Sequence, residues 1–300
     1  MICGKILNMA KECYLYKKLN NNLVQCETCA HQCKIALGQR GICGVRENQA
    51  GKLLALNYGR AVAAHVDPIE KKPLYHFLPG TDTYSIATAG CNFRCRHCQN
   101  YDISQYTKKW PCEIIGQELL PKAVVKNALE LRCPSISYTY TEPTIFLEYA
   151  LDTMKLACDK GLKNIWVSNG YMSDQTLELI IPYLDAANID LKSFSDKFYR
   201  EICQAKLEPV LNNLIKIKKS GVHLEITTLI IPAYNDSEKE LKQIAEFIFN
   251  KLGADAPWHV SAFYPTFKMT AVPATPREKV LQAVEIGKKA GLKFVHPGNI

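Results

Sequence analysis

Three hundred residues, 47% hydrophobic and 22% charged, describe a folded globular chain with enough apolar material for its own core. Collagen-like, coiled-coil and disordered classes are excluded. The 37 basic residues exceed the 29 acidic ones by a formal +8, but the lysines are scattered and the densest run is Lys216, Lys218 and Lys219. The excess therefore reads as a solvated surface, and nucleic acid is not an expected partner. No apolar run approaches the ~18 residues of a membrane-spanning helix. Met1 to Lys18 interleaves Lys5, Lys11, Glu12 and Lys17 with its apolar residues, leaving no signal-peptide core. The expectation is a cytoplasmic protein with no membrane segment.

Thirteen cysteines are far above ordinary use. The number is odd, the chain is not small and nothing marks it for export, so a disulfide framework explains it poorly. Seven fall in two tight clusters, a pattern that means metal in a reducing compartment. Residues 1–80 read as an N-terminal cysteine-rich module carrying the first cluster, Cys26-x2-Cys29-x3-Cys33-x9-Cys43, with His31 as a spare ligand. Gly38, Gly41 and Gly44 permit the tight turns such a knot requires. Four thiolates with no open position predict a closed site, structural or electron-transferring; zinc is favoured over an accessory Fe–S cluster or unligated thiols. The module also holds a strand-like stretch from Lys52 to Tyr58 and the segment Asp67-Pro68-Ile69-Glu70-Lys71-Lys72-Pro73, and ends near Pro79-Gly80.

Residues 81–300 alternate strand-like and helical runs. Strands are predicted at Tyr84–Thr88, Ser135–Tyr140, Asn164–Ser168, Ala187–Leu191, His223–Ile231, His259–Phe263 and Lys293–His296. Helices are predicted at Thr144–Lys160, Asp174–Tyr183, Pro209–Ser220, Ser237–Lys251 and Pro276–Ala290. Such repetition implies a parallel sheet, and six or seven units fit a closed or partial β/α barrel better than an open doubly wound sheet. In both, function sits at the carboxyl ends of the strands.

The second cluster, Cys91-x3-Cys95-x2-Cys98, follows the first of these strands directly. A structural zinc site wants four ligands, so three thiolates leave a position open. The bland alternative is a zinc knuckle completed by Cys112 or His97. Later strands end in polar pairs two residues apart, which share one face: Asp190 with Lys192, Glu225 with Thr227, His259 with Ser261. Inside a barrel they would line a polar mouth, whereas singly they would be a rim salt bridge or a satisfied core histidine. Tyr140-Thr141-Glu142-Pro143 and Ser168-Asn169-Gly170 close two more strands; Glu142 could simply complement a helix dipole, and Asn169-Gly170 could simply turn the chain.

The spacing and placement of Cys91, Cys95 and Cys98 resemble those of radical S-adenosylmethionine (SAM) enzymes. Over nearly the whole chain the sequence resembles the radical SAM enzyme family of the AmmeMemoRadiSam system, relatives of the glycyl-radical (pyruvate formate-lyase) activating enzymes. The stretches that carry this are Cys43-Gly44-Val45-Arg46-Glu47-Asn48, Asp67 through His76, the cluster loop to Asn100, Tyr140 through Thr144, Asp190-Leu191-Lys192, Ile231 through Asp236 and Trp258 through Pro265. The resemblance implies a partial (β/α)6-type TIM barrel, α/β in class, with a small cysteine-rich extension. It implies a 4Fe–4S cluster on Cys91, Cys95 and Cys98, and SAM surrounded by Glu142, Asn169, Asp190 and Lys192, with Glu142 receiving its ammonium. His97 would stack near the adenine or donate to a cluster sulfide, and His259 would line the cofactor site. Tyr140-Thr141 stands where activating enzymes usually carry a double glycine, and His97 where tyrosine or phenylalanine is frequent. The implied reaction is reductive SAM cleavage followed by hydrogen abstraction, with a flavodoxin or ferredoxin as reductant and a protein as a possible substrate. The alternative from another class is a non-catalytic redox sensor or zinc interaction module.

Overall fold

The computed structural model describes residues 9–111 and 113–300, so Cys112 and its expected ligand role lie outside the described residues. Its centre is an eight-stranded sheet: β1 (Ala63–Pro68), β2 (Asp82–Ala87), β3 (Ser135–Tyr138), β4 (Lys163–Ser168), β5 (Ala186–Asp190), β6 (His223–Ile230), β7 (Trp258–Ala262) and β8 (Val295–Gly298). The strands lie side by side in chain order. β1 runs antiparallel to β2, and every later neighbour is parallel.

Parallel neighbours need long crossovers. These are α1 (Pro121–Glu130), α2 (Leu147–Asp159), α3 (Asp174–Ile180), α4 (Leu207–Lys219), α5 (Glu238–Phe247) and α6 (Arg277–Lys289). Local chemistry sets their ends. Pro121 occupies the first turn of α1, while the Ser173 and Ser237 hydroxyls accept from Thr176 N and Glu240 N to cap α3 and α5. On α4, Leu207, Val210, Leu214 and Ile217 recur at helical spacing and are buried against the sheet.

Because β1 and β8 do not pair, the sheet curls into a partial barrel of six β/α units and a last strand. This is the expected class. The expected boundary at residue 80 falls between two paired strands of this one sheet, β1 and β2.

The period of two along each strand sorts side chains between helices and interior. On β6, Leu224 and Ile226 belong to the core, while Thr227 and Leu229 face a central cavity. On β7, Trp258 and Val260 are core residues and His259 and Ser261 face the cavity.

The N-terminal residues form two small antiparallel sheets, one from Tyr16–Lys18, Val24–Cys26 and Lys34–Ile35, the other from Lys11–Glu12, Lys52–Ala55 and Arg46–Gln49. Cys13, Val24, Ile35 and Leu53 pack between them. A buried ion pair, Arg46 to Glu148 of α2 at 2.6 Å, and the backbone bonds Ala30 N to Tyr171 O and Ser173 N to Thr28 O fasten this unit to the barrel. Among the described residues no helix is long and apolar enough to cross a membrane.

Candidate active site

A cavity of about 550 Å³ opens at the carboxyl ends of the parallel strands. Cys91, Cys95 and Cys98 line one end of it, on the loop that leaves β2. Gly90 sets up that loop. Its φ of +100° favours glycine, and a Cβ there would meet Cys43 O at 2.8 Å. Two backbone bonds, Arg94 N to Cys203 O (2.9 Å) and Arg96 N to Ile202 O (3.0 Å), rivet the loop to the turn Tyr199–Cys203.

Cys91 and Cys95 are buried and Cys98 half-buried. Contact with Cys203 and then burial push the Cys95 thiol up; burial alone leads for Cys91 and Cys98. His97 is buried, and burial with the nearby Lys192 charge lowers its pKa to about 3, so the ring is neutral. His97 Nδ1 and Asn92 Nδ2 are buried with no hydrogen-bond partner among the described residues.

A buried polar group left unpaired costs about 1–3 kcal/mol. The unpaired nitrogen of His97, on the same cavity wall as the three thiols, fits a bound centre rich in acceptor sulfur, and the donor set of three cysteines fits iron–sulfur coordination.

The cavity wall carries the polar strand ends. Asp190 and Lys192 pair at 2.7 Å. Burial opposes the Lys192 charge, but Asp190 and the thiols of Cys95 and Cys203 hold its pKa well above the ordinary value. Asn169 donates to Asn92 Oδ1 at 2.7 Å and accepts from Tyr171 N at 3.0 Å, which fixes it beside Cys91. His259 also lines the cavity, its Nε2 2.6 Å from Glu225 Oε2.

Glu142 is placed differently from expectation. It is fully buried and does not line the cavity. Its Oε1 accepts from Thr144 N (3.0 Å), Thr144 Oγ1 (2.5 Å) and Ser168 Oγ (2.8 Å), and its Oε2 from Asn169 N (2.9 Å). The carboxylate is an N-cap for the turn Pro143–Phe146 and a brace between the ends of β3 and β4.

The sequence model of the Radical SAM superfamily matches residues 85–248, more than half of the chain. A protein of Methanocaldococcus jannaschii called uncharacterized is 44% identical over 290 residues, covering 97% of this chain and 85% of its own length. The chain belongs to the radical SAM superfamily. The pyruvate formate-lyase-activating enzyme of Clostridium pasteurianum is 25% identical over 162 residues, 54% of this chain and 67% of that one. Among solved structures, Streptococcus suis SuiB bound to S-adenosylmethionine superposes with a TM-score of 0.56 at 12% identity, covering 71% of this chain and 49% of that one; this speaks for the fold. As a radical SAM enzyme with activating-enzyme homologues, the protein uses a 4Fe–4S cluster and SAM. That sets aside the non-catalytic sensor.

The first cysteine cluster also converges. Cys26, Cys29, Cys33 and Cys43 line a second cavity of about 10 Å³, room for roughly one atom-sized occupant. Burial raises the thiols of Cys29 and Cys43, and that of Cys33 to about 11. His31, expected as a spare ligand, has its Nε2 2.9 Å from Asn92 O, which joins this site to the residue after Cys91.

Two residues of this radical SAM site escape sequence reasoning. Asn92 sits inside the loop without a motif of its own. Cys203 lies on a distant segment, where a lone cysteine carries no signal.

Proposed function

We propose that Cys91, Cys95 and Cys98 ligate the cluster, that Asn169, Asp190 and Lys192 bind SAM, and that the enzyme acts on a partner protein within the AmmeMemoRadiSam system. The observation that carries the first part is the convergence of three thiols and the unpartnered buried nitrogen of His97 on the wall of a 550 Å³ cavity. When bound and reduced by an external one-electron donor, the cluster held by Cys91, Cys95 and Cys98 would supply the electron that splits SAM into methionine and a 5′-deoxyadenosyl radical. Asp190 and Lys192 offer complementary charges to the zwitterionic methionine end of SAM, and His97 stays neutral beside the thiols. Asn169, oriented by Asn92 and Tyr171 N, supplies a fixed amide. His259 lines the same cavity and faces what is bound there.

The activating-enzyme homologues support a protein substrate, and a low-potential donor such as flavodoxin or ferredoxin. Membership of the AmmeMemoRadiSam system is supported by the sequence stretches named above. For the N-terminal thiols we propose one Zn²⁺, supported by four ligands around a cavity of atomic size.

Anaerobic reconstitution tests the central reading. The protein is expected to bind four irons at this site (besides any metal on Cys26, Cys29, Cys33 and Cys43), to show broad Fe–S absorption, and to release 5′-deoxyadenosine with SAM and dithionite. Cys95→Ala that still cleaves SAM at the wild-type rate would overturn it. For the substrate, deuterium from a labelled partner protein should appear in 5′-deoxyadenosine.

A further inference from the structure

Each of the three site cysteines has a polar or thiol neighbour at its sulfur, and Cys91 has two donors, the second being Asn169 Nδ2 at 3.9 Å. Phe93 N lies 3.3 Å from Cys91 Sγ, and Ser104 Oγ lies 3.1 Å from Cys98 Sγ. For Cys95 the neighbour is another thiol, that of Cys203, packed against it in the buried interior. The sulfurs of Cys95 and Cys203 and a ring nitrogen of His97 all lie within 4.8 Å of one another, and all three residues are buried.

This contact is built into the backbone. The carbonyls of Cys203 and Ile202 accept from Arg94 N and Arg96 N, the amides on either side of Cys95. Cys203 ends a single π-helical turn, Tyr199–Cys203, and Gln204 follows in the left-handed region at φ +57°. Such turns recur at functional sites. The side chain of Cys203 is fully buried and does not line the cavity, so no solvent competes for the contact.

We infer that the Cys203 thiol donates a hydrogen bond to the Cys95 sulfur in the loaded enzyme and thereby raises the reduction potential of the cluster. The inference rests on the ligand role proposed above for Cys95. A ligating Cys95 has lost its proton, so of the two sulfurs only Cys203 can donate. The reduced cluster carries one more negative charge than the oxidised one, and a donor to a ligand sulfur stabilises it preferentially. The low local dielectric strengthens that preference. Cys203 is thus a positioning and tuning residue, not a fourth ligand.

The test is an EPR-monitored redox titration of the anaerobically reconstituted full chain, wild type against C203A and C203S, with iron content measured on each. The expected result is a lower midpoint potential in C203A at unchanged iron content, with C203S between the two. Resonance Raman spectra should show Fe–S(Cys) bands of wild type that shift between H₂O and D₂O, with a smaller shift in C203A. An iron-replete C203A with wild-type potential and Raman shift overturns the inference and leaves the ligand assignment standing. Wild type that binds no cluster overturns both. Should C203A fail to take up iron, wild type and C203S decide: identical potentials and identical isotope shifts overturn the inference.

Discussion

Glu142 is where the structure and the family resemblance point to different chemistry. If the carboxylate is a brace, Glu142→Gln replaces one acceptor oxygen by an NH₂ group. The amide oxygen can keep the three Oε1 bonds, and the NH₂ then faces the Asn169 N–H across 2.9 Å. Two donors face each other, and one buried N–H loses its partner at about 1–3 kcal/mol. Offsetting this, burial already pushes the Glu142 pKa up in spite of four hydrogen bonds, so removing the charge recovers part of the desolvation cost. The expected net loss is about 1–2 kcal/mol, a five- to thirty-fold change in the folding equilibrium. Glu142→Ala orphans all four donors and opens a cavity, and should lose about 3–5 kcal/mol. Urea unfolding of wild type and both variants measures the stability, and anaerobic calorimetry on cluster-loaded protein measures SAM affinity. The brace predicts that stability falls and that affinity falls less in Glu142→Gln than in Asp190→Asn. Unchanged unfolding midpoints with a tenfold weaker SAM interaction would show that Glu142 reaches the cofactor, and the reasoning would fail.

Asp190→Asn and Lys192→Met each remove one member of a 2.7 Å pair on the cavity wall and should weaken SAM binding about tenfold, about 1.4 kcal/mol, by calorimetry. Arg46→Met leaves Glu148 charged and buried, and should cost about 3–5 kcal/mol in urea unfolding; replacing both partners by apolar residues should cost less. Cys29→Ser should remove one zinc per chain by metal analysis without removing iron bound at Cys91, Cys95 and Cys98. Burial opposes ionisation of Glu225, yet hydrogen bonds from His223, His259, His76 N and Tyr75 N hold its pKa below the ordinary 4.5. A depressed carboxyl stabilises the fold above its unfolded pKa, and that stability is lost as pH falls through the folded value. Unfolding midpoints should therefore drop below about pH 4.5, with a flatter slope in Glu225→Gln.

The barrel was legible because strand-like runs such as Lys163–Ser168 and His223–Ile230 alternate with stretches of helical spacing, which implies a parallel sheet. β1 was not legible. It is an edge strand with a mostly exposed or half-exposed pattern and a terminal proline, and its sequence carries no strand signal. Among site residues, the cysteine spacing could be read because three ligands to one centre must be close in sequence when one loop supplies them. The orientation of Glu142 could not be, since a carboxylate at a strand-to-helix junction can cap the turn or enter the mouth with the same neighbours. Glu225 and His259, each ambiguous alone, resolve as partners only when β6 and β7 are set side by side.

The same adjacency explains the segment Asp67–His76. A barrel missing its last pairing has a lateral gap between β1 and β8, and an interior open to water would weaken every polar contact within it. Here the segment leaves β1 and crosses the interior as a strap. At its start, Asp67 takes Lys71 and Lys72 at 2.7 Å and the Tyr140 hydroxyl. In the middle, Pro73 O accepts from Asn188 of β5. At its end, the amides of Tyr75 and His76 donate to Glu225 of β6, and the Tyr75 ring meets His259 at 4.7 Å and His296 at 4.9 Å. The strap thus touches strands on both sides of the opening, and Glu70, Lys71 and Tyr75 become walls of the cavity. The buried charges of Asp67, Lys72 and Glu225 follow from this. A strap without a strand's ladder of backbone bonds must be held by a few strong ones, and charge-assisted hydrogen bonds are roughly twice as strong as neutral ones.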